Sequence, residues 1–504
     1  MVFSSHIFLL AFLPTVLVLF YLLGRLGGQS AAITWLAFAS LFFYGWWNPI
    51  YLLLIGVSIL FNYVVALSLC QNWLRDDGRM PLLVGGLLGN LALLGYFKYT
   101  NFFIDNFNAV TGVGVQVVPI ILPLAISFFT FQQVAYLVDA FQFKKAEPHF
   151  IRYTLFVSFF PQLIAGPIVH HKEMLPQFES ARTFRFQPDI FALGISILIL
   201  GLAKKVLLAD NLALLANPVF DSVAHGGSIS TLTAWVGGVA YTFQLYFDFS
   251  GYSEMAIGLA LMFGIRLPIN FNAPFKASSM LEFWRRWHMT LSRFLQEYLF
   301  MPLSMKEVRM NLWTMPLMSF IITMLFGGLW HGAQWTFVAW GLFHGVLLAI
   351  NQSWRNWKKR RGWSKRDGWW NHSLLGVPLT FLCVLASLVV FRSADLGTAG
   401  QMYQAMLGFG GKDAVETSSV ALAAWPWLSA AAILVWWAPN LVQLMRDHQI
   451  VTDTLKIPPH WLQKGKSPFL LWRPSLFWGV VLSVLAFLSV LRMNEVNEFL
   501  YFQF

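Results

Sequence analysis

Of the 504 residues, 57% are hydrophobic, 17% aromatic and 11% charged, whereas a soluble domain carries about a quarter charged residues. Such a chain cannot cover a globule with polar surface, so lipid must be part of its solvent. The net charge of +11 does not point to nucleic acid, because the basic residues stand beside apolar segments, as cytoplasmic loops of a membrane protein do.

Each crossing of a bilayer takes about 20 mostly apolar residues. The runs here are continuous rather than alternating and too long for barrel strands, which predicts helices. The expected fold class is an all-α polytopic integral membrane protein, a single transmembrane domain over residues 1–504. Apolar stretches fall near 7–24, 31–47, 50–69, 81–97, 115–138, 152–168, 189–209, 231–247 and 253–266. After a more amphipathic stretch come 312–330, 333–350, 375–391, 419–438 and 473–491. The first run has no basic leader or small-residue cleavage site and reads as a helix rather than a signal peptide. Arg25 after it favours a chain start outside and a first turn inside. The Gly-Gly pairs at 85–86 and 327–328 permit close helix approach. Cys70 and Cys383 read as ordinary buried or lipid-facing thiols.

Two connections carry information. Residues 351–372 hold seven Lys/Arg and one acid, the signature of a cytoplasmic loop, with Trp354, Trp357, Trp363, Trp369 and Trp370 suited to the headgroup zone. Residues 439–472, with Pro458-Pro459, read as a surface loop or an interfacial helix.

Ionisable residues in apolar surroundings are expensive and mark function by default. His331, in Phe326-Gly327-Gly328-Leu329-Trp330-His331-Gly332, has long flanks without Asp, Glu, Lys or Arg. An imidazole kept neutral there is available as a base for an acceptor hydroxyl; the bland reading is a histidine hydrogen-bonded between helices. His288 lies in Glu282-Phe283-Trp284-Arg285-Arg286-Trp287-His288. Arg285 and Arg286, with Lys276 and Arg293, suit the phosphates of a bound donor, as do Lys204 and Lys205. The bland reading is an interfacial amphipathic helix. Asp248 and Glu254 need partners in so apolar a stretch, and Arg285 or Arg286 are the partners expected. His344 would stand about 20 Å beyond His331 on a continuous helix and reads as structural. No metal-ligand spacing, nucleophile elbow, Walker loop or dinucleotide fingerprint stands in a fitting context.

GGLWHGAQW, preceded by EFWRRWHMTLS and YFDFSGYSEMAIGLALMFG, resembles the membrane-bound O-acyltransferase family, in particular its bacterial alginate O-acetylase branch. The similarity extends to SLFFYGWWNP, LGYFKYTNFF, LPLAISFFTFQQVAYLVD, FFPQLIAGPIVHHKEMLPQF and the terminal FLYFQF. It implies a shell of roughly a dozen helices and re-entrant segments around a tunnel. It also implies an essential histidine at His331 and a second polar catalytic position at His288. It implies a multi-pass protein of the bacterial inner membrane that holds no resident metal or cofactor and takes acetyl-coenzyme A as donor. Membrane lipid and periplasmic acetyltransferase proteins would be its partners. The final acceptor would be a polysaccharide: alginate first, with cellulose, peptidoglycan or another exopolysaccharide as alternatives. After Phe300 such relatives continue with a Gly-Gly-Asn-type turn. Here Met301-Pro302-Leu303-Ser304 stands instead, which leaves room for a different substrate or partner.

The expected chemistry has His331 as general base, with His288 orienting the acceptor or stabilising the oxyanion. A covalent acetyl carrier is the variant route. A transporter of acetyl groups or lipid-linked sugar and a non-catalytic scaffold are the rival classes.

Overall fold

The computed structural model describes residues 1–71, 76–309, 317–363, 373–412, 415–452, 471–493 and 500. Among these the regular structure is helical, with no strand, as expected where backbone polar groups must be satisfied within each segment. Five helices are long and apolar enough to cross a membrane: Phe8–Leu26, Tyr51–Cys70, Gly78–Thr111, Pro188–Ala224 and Leu374–Arg392. Three shorter apolar helices are Leu317–His331, Ala423–Trp436 and Leu476–Arg492.

Three stretches differ from the sequence expectation. The runs near 231–247 and 253–266 form one helix, Thr231–Met262, whose N-cap Ser230 accepts from the Thr233 N–H. The acids at this junction, Asp248 and Glu254, pair with lysines rather than with Arg285 or Arg286. Asp248 takes Lys205 at 2.8 Å, Lys205 also reaches Asp210 at 2.6 Å, and Glu254 takes Lys204. Neutralised from a neighbouring helix, the acids can stay inside a continuous helix, and both lysines are committed to structure rather than to donor phosphates. The apolar stretch 115–138 is helical only from Ile126. Its first part holds Pro119 and Pro123, which cannot donate to a helix ladder. The basic stretch 351–372 begins as helix, because Trp335–Arg360 is unbroken. Trp354 and Trp357 stack there at 5.0 Å, with Lys358 and Arg361 over their faces. Trp369, Trp370 and Pro458-Pro459 lie outside the described residues.

The helix Thr231–Met262 is almost wholly buried and packs against Pro188–Ala203, Asp210–Ala224, Ser373–Arg392 and Val415–Trp436. Its closest approach is glycine on glycine. A Cβ on Gly201 would stand 2.6 Å from the Gly251 carbonyl, and one on Gly251 would stand 2.7 Å from the Gly201 carbonyl. Backbones that near each other gain dispersion and exclude lipid. A second tight contact joins Leu317–His331 to Trp335–Arg360, where Gly341 faces the Met324 backbone and Gly328 faces Phe337. The chain reverses in residues 332–334 between these helices. That reversal builds the site.

Candidate active site

His331 is the last residue of Leu317–His331, where a helix leaves carbonyls without intrahelical partners. Two side chains from Gly78–Thr111 meet those carbonyls. Tyr99 donates to the Leu329 carbonyl at 2.7 Å. The Lys98 ammonium donates to the Trp330 carbonyl, to the His331 carbonyl at 3.3 Å and to Ser127 Oγ at 3.2 Å. The His331 imidazole is buried, with Trp340 edge-on at 5.0 Å and Phe391 edge-on at 5.2 Å.

His288 sits in the left-handed region at φ +41°, a conformation uncommon outside glycine that costs on the order of 1 kcal/mol or more. Backbone pairing holds it there: Met289 N–H donates to the Asn270 carbonyl and Asn272 N–H to the Arg286 carbonyl, each at 2.9 Å. His288 Nδ1 lies 3.0 Å from Asn270 Oδ1. Its ring is packed by Phe249 at 4.8 Å and Trp330 at 5.8 Å.

The two histidines meet in one cavity of about 20 Å³, lined also by His344, Ser387 and the rings of Phe249, Phe283, Trp287, Trp340 and Phe391. Among the described residues two buried polar atoms of this lining, His288 Nε2 and Trp340 Nε1, have no hydrogen-bond partner. His344 therefore does not stand remote from His331. The reversal at 332–334 folds its helix back alongside, and it lines the same cavity. There its Nδ1 accepts from Trp284 Nε1 at 3.3 Å, and its Nε2 meets Ser387 Oγ at 2.9 Å.

Of the four cations expected to bind phosphate, three are engaged by protein groups. Arg293 makes a two-pronged pair with the buried Glu173, at 2.6 and 3.0 Å. Arg286 pairs with Glu282 at 2.7 Å and donates to the Asn272 carbonyl. Lys276 donates to the Ala438 carbonyl at 3.0 Å. Arg285 is exposed.

A family model described as "MBOAT, membrane-bound O-acyltransferase family" matches residues 124–393, a span that holds both histidines and the whole cavity lining. The chain belongs to the membrane-bound O-acyltransferase family. It is an integral membrane acyltransferase. It is 42% identical over 437 residues to a peptidoglycan O-acetyltransferase of Helicobacter pylori, covering 82% of this chain and 80% of that protein. It is 36% identical to a probable alginate O-acetylase of Pseudomonas putida, over the full length of both. A teichoic acid D-alanyltransferase of Streptococcus thermophilus is 31% identical over 53% of this chain and 68% of its own.

Sequence reasoning singled out His331 and His288, which this membrane-bound O-acyltransferase brings together. It passed over Asn270, Trp340, Ser387 and Lys98. The signal for Lys98 was present, a lone cation in the apolar run 81–97 and its continuation. Nothing local marked the others.

Proposed function

We propose that the protein is a bacterial inner-membrane O-acetyltransferase that takes acetyl groups from acetyl-coenzyme A on the cytoplasmic side for O-acetylation of an exported polysaccharide. The observation that carries this reading is the convergence of His331 and His288 in one small, aromatic cavity. A volume of about 20 Å³ holds about one water, so the aromatic walls have to part a little for an acetyl group and much further for a longer chain. His331 takes the proton of the acceptor hydroxyl as that oxygen bonds to the acetyl carbon. The carbon–sulfur bond then breaks, and the departing thiolate takes the proton from the imidazolium, which restores the neutral base. The Trp340 indole N–H is a donor available for the carbonyl oxygen as charge develops.

Arg285 is the cation left for donor phosphates. Roughly a dozen crossings around a passage between the helices, and periplasmic proteins that complete transfer to the sugar, belong to the same reading. Alginate is supported by the end-to-end match to a probable alginate O-acetylase. Peptidoglycan is the second reading, favoured by the 42% identity to a peptidoglycan O-acetyltransferase.

The test is the acetyl content of exported polysaccharide and of peptidoglycan in a deletion strain. It is complemented by wild type or His331→Ala at equal membrane levels. Restoration by wild type alone is expected, and the polymer that regains acetyl names the acceptor. Restoration by both would remove His331 from the chemistry and favour a scaffold or transporter.

A further inference from the structure

The hydrogen bonds behind His288 decide which of its nitrogens carries a proton. Asn270 Oδ1 lies 2.9 Å from Thr290 Oγ1, 3.4 Å from the Thr290 backbone nitrogen and 3.0 Å from His288 Nδ1. A backbone N–H can only donate, so this side of the amide has to be oxygen. The Thr290 hydroxyl agrees: the Ile168 N–H donates to Thr290 Oγ1 at 3.0 Å, which leaves the hydroxyl proton to point at Asn270. The opposite edge of the amide is consistent, with Asn270 Nδ2 donating to Ser253 Oγ at 3.2 Å. An oxygen facing His288 Nδ1 requires that Nδ1 bear the hydrogen. In the neutral ring Nε2 then has a bare lone pair; Nε2 is buried without a hydrogen-bond partner among the described residues, in a ring that lines the cavity. Asn270 and Thr290 are themselves fully buried, so the arrangement is shielded from exchange with water.

We infer that Asn270 and Thr290 are positioning residues that lock His288 as the Nδ1–H tautomer, making its Nε2 an obligate acceptor that holds a second donor of the acceptor substrate, such as a neighbouring sugar hydroxyl, while His331 takes the proton of the reacting hydroxyl. A ring in this tautomer cannot donate to an oxyanion, so of the two roles open to His288 the network selects orientation of the nucleophile. The lock has three layers, from the backbone amides of Ile168 and Thr290 through the Asn270 amide to the imidazole. Thr290→Val deletes the hydroxyl that favours one face of the amide. The 3.4 Å bond from the residue 290 backbone N–H is then the weaker hold that remains, so part of the population can turn the Asn270 NH₂ toward His288 and adopt the opposite tautomer.

For its chemistry this inference rests on the acetyl-transfer reading; the tautomer itself does not. Nitrogen-15 NMR of the full chain, labelled at histidine and assigned by the signal lost in His288→Gln, reads the ring directly. Coenzyme A release from acetyl-coenzyme A by membrane vesicles reads the reaction. The expected result is a protonated Nδ1 and bare Nε2 in the wild type. Thr290→Val should raise the share of the Nε2–H tautomer and lose activity severalfold, and up to about tenfold, the scale on which partners behind a histidine act. Thr290→Ser should restore both. Asn270→Asp keeps an oxygen acceptor but adds a charge that favours imidazolium, so its activity should be lost at higher pH than in the wild type, a shift a purely structural residue would not produce. A wild-type ring protonated at Nε2 overturns the inference even if Thr290→Val fails to fold. So does Thr290→Val matching the wild type in tautomer and rate. Wild-type vesicles that release no coenzyme A would instead overturn the functional reading and leave the tautomer result standing.

Discussion

Replacing Lys98 by Met would take an ammonium away from the carbonyl end of the helix that presents His331. That ammonium serves the Trp330 and His331 carbonyls and Ser127 together. Hydrogen bonds to a charged group contribute about 1.5–3 kcal/mol each in mutational series, and buried acceptors left bare cost about 1–3 kcal/mol. These contributions overlap, so about 3 kcal/mol is a working figure for the helix end. Methionine fills the volume and returns none of it. The last turn can recover its carbonyl partners only by moving, and a misplacement of about 1 Å at a reacting group costs about 100-fold in rate. Tyr99→Phe removes one neutral bond from the same turn, at Leu329, and should cost about 1 kcal/mol with a correspondingly smaller loss of rate. Coenzyme A release by vesicles carrying equal amounts of each variant would measure this, alongside thermal unfolding in detergent. The expected order is wild type, Tyr99→Phe, then Lys98→Met, with Lys98→Arg recovering part of the loss. A folded Lys98→Met that turns over at the wild-type rate would refute the argument that the carbonyl clamp positions His331.

Lys205→Met should destabilise the protein by about 3–5 kcal/mol, because it strands the buried Asp248 and Asp210; adding Asp248→Asn should return part of this in a thermal unfolding assay. Gly251→Ala should force two touching backbones apart at about 1–3 kcal/mol, whereas Gly56→Ala, with open space around it, should be neutral or slightly stabilising. Acid should loosen the segment at His170 and His171, which begins a short helix outside the spanning segments. Burial holds both rings down to about 4, with Arg293 assisting at His170 and Lys172 at His171. Above pH 6.5 the rings are neutral folded or unfolded and contribute nothing. Between 6.5 and 4 only the unfolded chain takes up the protons, so stability falls by about 3 kcal/mol per ring. His171→Gln should flatten that fall in melts from pH 7 to 4.5, and an unchanged slope would count against it.

The helical membrane class was legible because it depends on composition and run length alone. Long continuous apolar stretches have no other way to satisfy their backbones in lipid. His331 was legible for a related reason, since a lone polar group in apolar surroundings stands out in one dimension, and His288 because it closes a stretch dense in charge and aromatic rings, Glu282 to His288. The break expected between 247 and 253 was misplaced because local polarity resembles a turn when its neutralising partners are far away in sequence. Lys204 and Lys205, which neutralise Glu254 and Asp248, looked like free cations for the same reason. Arg293 likewise takes Glu173 from 120 residues away, whereas the Arg286–Glu282 pair is four residues apart, a spacing at which helix neighbours meet.

What the sequence by itself determined is the solvent, the all-helical class and the two histidines as candidates, all of which follow from the identity of near neighbours along the chain. The tertiary structure alone decided who faces whom. The reversal at 332–334 carries His344 back beside His331, against the distance a continuous helix would set. Asn270, an unremarkable residue in a polar connection, acquires a role only because Thr290 and His288 converge on its oxygen. Hydrogen bonds and ion pairs act over about 3 Å in space, and separation along the chain carries no information about them.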